Sequence, residues 1–139
     1  MLLQDNLEGL QHLAIPVTNL SVTRAFYEQF GFKETLNEEV TVAGEVVKVL
    51  FLKKDDFTLE LFQLEDAMLK QVAERKDGHI DHVALNVKDI DKAYEELTAA
   101  GFAPLEDNVP VFLPLWKNGT RFFTVRGPDG EKVEFSQIL

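Results

Sequence analysis

Two short stretches, His12–Val17 and His82–Val87, alternate in a way that suits a strand. In the first, His12, Ala14 and Pro16 share one face and Leu13, Ile15 and Val17 the other. Each stretch is followed by helical spacing. A first helix is predicted from about Ser21 to Phe30, with Val22, Ala25, Phe26 and Phe30 as its apolar stripe. Asn19 or Ser21 can cap it, and Gly31 stops it. A second is predicted from about Asp91 to Ala100, with Ile90, Ala93, Tyr94, Leu97 and Ala100 as the stripe and Gly101 as the stop.

Further strand patterns follow each helix. In the first half they are Phe32–Val42, Glu45–Lys53 and Phe57–Leu64, turning at Ala43-Gly44 and at Lys54-Asp55-Asp56. In the second half they are Phe102–Leu105, Arg121–Arg126 and Lys132–Ile138. The last two are joined by Gly127-Pro128-Asp129-Gly130, where Pro fixes φ and Gly supplies positive φ. Asp66–Lys76 reads as a short helix between the halves, with Leu69, Val72 and Ala73 on one side. Asp107–Trp116, with two prolines, reads as a loop with a hydrophobic underside that can cover a pocket.

Each half therefore reads β-α-β-β-β, and the halves align with each other at an offset of 70 residues. His12 falls on His82, Ala14 on Ala84, Val17 on Val87, Gly31 on Gly101 and Phe32 on Phe102. The reading is a duplicated half-domain; two unrelated βα units sharing generic signals is the alternative. The expected organisation is one domain over 1–139. Module one covers about 9–65, a linker helix 66–78 and module two about 79–139.

Composition narrows the chemistry. With 14 Lys+Arg against 24 Asp+Glu the net charge is −10, and no basic block is present, which speaks against nucleic-acid binding. The absence of cysteine excludes disulfides, thiolate metal sites and a Cys nucleophile, so any metal must be held by His, Asp or Glu. With 45% hydrophobic residues the chain can fill a core. The N-terminal stretch lacks the basic start and unbroken apolar run of a signal peptide, and no stretch is apolar enough to span a bilayer. A soluble, cytoplasmic protein without a membrane partner is expected.

His12 and His82 occupy equivalent strand positions, and each copy ends in a strand with one Glu among apolar residues, Glu60 and Glu134. The His-to-Glu separations are 48 and 52 residues. Two imidazoles and two carboxylates suit a divalent transition metal such as Zn²⁺, Ni²⁺, Co²⁺, Mn²⁺ or Fe²⁺. The bland alternative is that both Glu face outward at an edge; the polar same-face neighbours of Glu134, Lys132 and Ser136, suit that as well. His79, three residues before His82, falls on the other face and reads as structural or surface. Trp116, Arg121, Phe112 and Phe51 are candidate pocket residues, with packing and surface roles as the alternative.

The chain resembles the vicinal-oxygen-chelate superfamily, which includes glyoxalase I, methylmalonyl-CoA epimerase, extradiol dioxygenases, fosfomycin-resistance enzymes and bleomycin-binding proteins. The stretches that carry the resemblance are His12-Leu-Ala-Ile-Pro-Val with Asn19-Leu20 and Phe26-Tyr27…Gly31-Phe32; Leu59-Glu60-Leu61; His82-Val-Ala-Leu-Asn-Val with Asp89-Ile90; and Gly127-Pro-Asp-Gly-Glu-Lys-Val-Glu134-Phe. It implies an α+β fold of two tandem βαβββ modules forming a curved mixed sheet, with the metal on its concave face. It implies His12, Glu60, His82 and Glu134 as metal ligands, with Zn or Ni foremost and Co, Mn or Fe as alternatives. It also implies Glu134 as the proton-transferring residue, a small-molecule substrate and a homodimer.

The motifs stand closest to glyoxalase I-type metalloenzymes. The expected activity is that of a lactoylglutathione lyase-like lyase or isomerase acting through an enediolate on a small oxygen-chelating substrate. There are departures. Val40–Lys54 lacks a segment for glutathione contacts, and no Arg cluster is present. The strand Val46–Leu52 is equally reminiscent of methylmalonyl-CoA epimerase, whose acidic CoA ester would meet little basic surface here. A dioxygenase would use only His12, His82 and Glu134, with Fe²⁺. A ligand at Glu60 would take a position oxygen chemistry needs. A non-catalytic drug- or small-molecule-binding protein of this fold is the remaining alternative, and the apparent ligand set counts against it.

Overall fold

The computed structural model describes residues 1–29, 31–126, 128 and 132–139. Among these the chain is α+β, with eight strands and three helices. They fall into two compact units, one formed by His12–Asp81 and the other by Met1–Gln11 with His82–Leu139. The first strand, β1 (Leu7–Pro16), starts in one unit and ends in the other.

In the unit His12–Asp81, β1 is followed by α1 (Leu20–Glu28), β2 (Lys33–Val42), β3 (Glu45–Lys54), β4 (Phe57–Gln63) and α2 (Asp66–Ala73). The strand order is β2-β3-β4-β1. The end of β1 runs parallel to β4, with Ala14 opposite Glu60, and the other pairs are antiparallel. Ala43 and Gly44 both take positive φ (50° and 81°), the twist a two-residue hairpin turn needs. Asn19 caps α1 by accepting the Val22 N–H. Gly31, at φ 87°, follows the last turn. Phe30, predicted to end this helix, lies outside the described residues. The core here is Val17, Leu50, Leu52 and Leu61, against which Leu20, Tyr27 and Phe32 pack.

The packed face of α1 differs from the expected stripe. Val22 and Phe26 are 67% and 52% exposed, and Ala25 is exposed too. The helix begins at Leu20, one residue before the predicted start, and Leu20, Thr23 and Tyr27 at i, i+3 and i+7 form the half-buried stripe instead.

The other unit repeats the order. It holds β5 (His82–Val87), α3 (Ile90–Ala99), β6 (Val111–Leu113), β7 (Thr120–Arg126) and β8 (Lys132–Ile138), ordered β5-β8-β7-β6. β5 is parallel to β8, with Ala84 opposite Glu134. Asp89 caps α3, and Ile90, Ala93 and Leu97 are buried against Phe123, Val125 and Phe135. The chain start is tied in. The Leu3 N–H donates to Glu96, and Asn6 and Asp89 exchange side-chain-to-backbone bonds in both directions.

Phe102–Leu105, expected as a strand, is irregular, and the third pairing element is β6, inside the predicted loop. Pro104 has no N–H to offer a ladder, and only the Leu105 N–H donates to β7, at Thr124 O. Val111–Leu113 sits between Pro110 and Pro114, so three residues are free of that restriction. Pro128 lies in a turn; Gly127, Asp129 and Gly130, the rest of the predicted turn, lie outside the described residues. No helix among the described residues is long and apolar enough to cross a membrane.

Candidate metal centre

Each unit carries one largely buried His–Glu pair, built by the same register, with the Glu60 and His82 side chains 14% and 13% exposed. In the unit His12–Asp81, β1 and β4 run parallel with Ala14 opposite Glu60, and His12 lies two residues before Ala14 on the same face. His12 is 3% exposed, and its Nε2 stands 2.9 Å from Glu60 Oε2. Across β4, Glu60 faces Phe51 of β3. The Phe51 ring meets the His12 imidazole edge-on, with centroids 5.2 Å apart.

In the other unit, Ala84 stands opposite Glu134, and His82 lies two residues before Ala84. His82 Nε2 is 3.3 Å from Glu134 Oε2. Glu134 is 9% exposed, so it is not an outward-facing edge residue, despite its polar same-face neighbours. Those neighbours are themselves part of a polar face. Glu134 faces Thr124 across β8, and Ser136, 2% exposed, hydrogen-bonds with Thr120 at 3.3 Å.

Buried carboxylates are costly unless they are paired. Each pair here sets an imidazole nitrogen against a carboxylate oxygen, an arrangement that a shared proton or a shared cation holds together. His12, Glu60 and His82 all bear atoms able to ligate a divalent ion. These nitrogen and oxygen donors fit Zn²⁺, Ni²⁺ or a neighbouring transition ion.

Some residues around these pairs lie outside the candidates that the sequence offers. Gln11 donates to Asn86 Oδ1 at 2.8 Å, and Asn86 in turn donates to Glu8. Asn86 falls on the His82 face of β5, and a polar residue at that alternate position was the available clue. The hydroxyls of Thr120 and Thr124 show no pattern beyond ordinary strand composition.

The other candidate pocket residues separate clearly. Phe51 packs on His12. Arg121 makes two hydrogen bonds to Asp91 in the first turn of α3. These hold the Asp91 carboxyl below its ordinary value, chiefly through the side-chain bond from Arg121. Phe112 is 54% exposed and Trp116 half-buried, and His79 is exposed.

The profile of the Glyoxalase/Bleomycin resistance protein/Dioxygenase superfamily matches residues 9–135. The chain is 30% identical over 132 residues to the uncharacterized protein YwbC of Bacillus subtilis (strain 168), a match spanning 92% of this chain and 96% of that one. Among solved structures it is similar to methylmalonyl-CoA epimerase from Mycobacterium tuberculosis (19% identity, TM-score 0.77, covering 100% of this chain and 93% of that one). It is also similar to a Streptomyces coelicolor methylmalonyl-CoA epimerase in complex with 2-nitronate-propionyl-CoA (23% identity, TM-score 0.75, covering 94% and 97%). At these identities the two structures speak for the fold.

Proposed function

The chain belongs to the Glyoxalase/Bleomycin resistance protein/Dioxygenase superfamily, and from that membership we propose that it is a divalent-metal lyase or isomerase that moves a proton at a carbon next to a carbonyl. The observation that carries the proposal is the repeated register. Ala14 opposite Glu60 and Ala84 opposite Glu134 place one largely buried His–Glu pair in each unit.

His12, Glu60, His82 and Glu134 are the proposed ligands, with Zn²⁺ or Ni²⁺ the best-fitting ions. A bound divalent ion would supply charge for the oxyanion that deprotonation leaves on a chelating substrate. Glu134 is the proposed base. It takes the proton from the carbon beside the carbonyl and returns it to the neighbouring carbon, a role for a carboxylate within reach of both. Thr124, opposite Glu134 on the same polar face, is suited to hold a substrate oxygen.

The face of β3 beside Glu60 favours a one-base proton shift of the glyoxalase I type. On β3, Val47 and Val49 share the face of Phe51, and all three are buried and apolar; the acid of this face, Glu45, is exposed at the far end of the strand, so β3 sets no second acid beside Glu60. Inverting a stereocentre calls for acid–base groups on both sides of the reacting carbon. Epimerisation of a CoA ester is the second reading, favoured by TM-scores of 0.77 and 0.75 to the two epimerases.

The test is turnover by metal-loaded protein of hemithioacetals made from methylglyoxal and several thiols, beside methylmalonyl-CoA, followed by NMR. Ion-dependent hemithioacetal turnover that His12→Ala abolishes is the expected result. Turnover of methylmalonyl-CoA alone would transfer the assignment to the epimerase reading. Activity on neither, with no ion bound, would leave a small-molecule-binding protein. Native mass spectrometry of the loaded protein would report whether it is a homodimer and how many ions each assembly holds.

A further inference from the structure

The face of the sheet opposite His12 and Glu60 carries a concavity in the unit His12–Asp81. It encloses about 350 Å³ at the start of α1, and Leu50 forms its apolar floor. Strand alternation sets Lys48 and Leu50 on the reverse side of β3 from Phe51, and Gln63 on the reverse side of β4 from Glu60. The concavity is therefore separate from the His12–Glu60 pair.

Its walls are rich in donors. Arg24 and Lys48 both line it, with Asn19, Asn37 and Gln63, and no Asp or Glu is among the described lining residues. Three carboxylates adjoin the two cations from outside the space: Glu28 and Glu34 bond Arg24, and Glu39 stands opposite Lys48. The amides are also oriented. Asn19 Oδ1 accepts the Val22 N–H at 3.1 Å and Gln63 Oε1 accepts the Leu20 N–H at 3.0 Å. Both carbonyl ends are thus engaged in starting α1, which leaves the NH₂ ends as the groups available to a ligand.

Arg24 is fixed in place. Its Nε donates to Glu28 at 2.7 Å and its Nη1 to Glu34 at 2.5 Å, so among the described residues Nη2 is the edge that remains for another acceptor. Lys48 stands opposite Gln63 on one side and Glu39 on the other. Glu39 is the nearest carboxylate in register and does not line the space.

We propose that this concavity binds a small phosphate monoester, with the phosphate between Lys48 and Arg24 and the organic part over Leu50. A phosphate is all acceptor, which matches the Lys48 ammonium, the remaining Nη2 edge of Arg24 and several amide donors converging on one space. A carboxylate offers fewer acceptor oxygens and one charge.

The test is an amide NMR titration of the full-length, metal-loaded protein with glycerol 3-phosphate, and in parallel with inorganic phosphate and with malonate. The expected result is saturable shifts of the Asn19, Asn37 and Gln63 side-chain amides at roughly millimolar affinity or tighter. Lys48→Glu should bind at least about tenfold more weakly, and so should the near-isosteric Asn37→Asp, both with thermal stability and metal content retained. No saturable shift with glycerol 3-phosphate overturns the proposal. Equal or tighter binding of inorganic phosphate or malonate overturns the monoester assignment, and unchanged affinity in both variants overturns the location.

Discussion

The imidazole of His12 and the ring of Phe51 meet edge to face, their planes 87° apart, at a position where Phe51 is 2% exposed. The aromatic ring packs one side of the imidazole while Glu60 holds its Nε2. Orientation of a ligand by its neighbours is worth about 10–100-fold in metal affinity where it has been tested.

Phe51→Leu is therefore expected to keep the fold and weaken binding of Zn²⁺ by about tenfold, measured by competition with a chelator. Phe51→Ala should in addition lower unfolding stability by about 3–5 kcal/mol, measured by urea denaturation. Unchanged metal affinity in Phe51→Leu would show that the contact packs the core and does not orient His12.

Glu134→Gln separates holding an ion from moving a proton. The amide oxygen can still face His82, but the side chain can no longer accept a proton. Metal content by elemental analysis is expected to persist, while proton exchange in deuterated buffer falls by about a hundredfold or more. Retained exchange would assign the base elsewhere, Glu60 being the first place to look.

The Asp91–Arg121 pair gives a pH signature unconnected with the site. The folded-state carboxyl titrates below its ordinary range, chiefly because of the bond from Arg121. A depressed carboxyl contributes stability above the unfolded carboxylate range, and that contribution is lost as pH falls through the lower folded value. Asp91 is 61% exposed, so solvent screening limits the pair to about 1 kcal/mol or less. Asp91→Asn should be slightly less stable than the parent at neutral pH. The gap should close in strong acid and shrink with added salt, both read from denaturation midpoints.

Gly119 occupies a backbone position with φ 93°. A Cβ there would lie 2.2 Å from Phe112 Cε2 and 3.1 Å from the Leu113 carbonyl oxygen. Phe112 is more than half exposed and can swing away, but the backbone conformation and the carbonyl remain. Gly119→Ala should cost more than about 1 kcal/mol. Adding Phe112→Ala should recover only part of that loss, as a double-mutant comparison by thermal melting would show.

The repeat made both pairs legible. His12 and His82 stand out because strand alternation and the 70-residue offset act on short, regular elements. Their Glu partners follow because β4 and β8 each place one acid among apolar neighbours. The helix faces were less legible. Val22 and Phe26 of α1 carry the apolar spacing, yet the start at Leu20 turns Leu20 and Tyr27 to the core. β6 was hidden because two flanking prolines suggest a loop, while the pairing of three residues depends on β7. The Gln11–Asn86–Glu8 chain was not legible either. It joins residues 75 or more positions apart, which no local pattern encodes.

The duplicated His–Glu pairs are proposed to serve one divalent ion. The most direct test is a crystal structure of protein loaded with Zn²⁺ or Ni²⁺, with the ion located by anomalous scattering at its own absorption edge. The expected result is an anomalous peak ligated by His12 and His82 nitrogens and by Glu60 and Glu134 oxygens, whether these come from one chain or from two. An ion bound elsewhere, or no ordered ion at saturating metal, would contradict it.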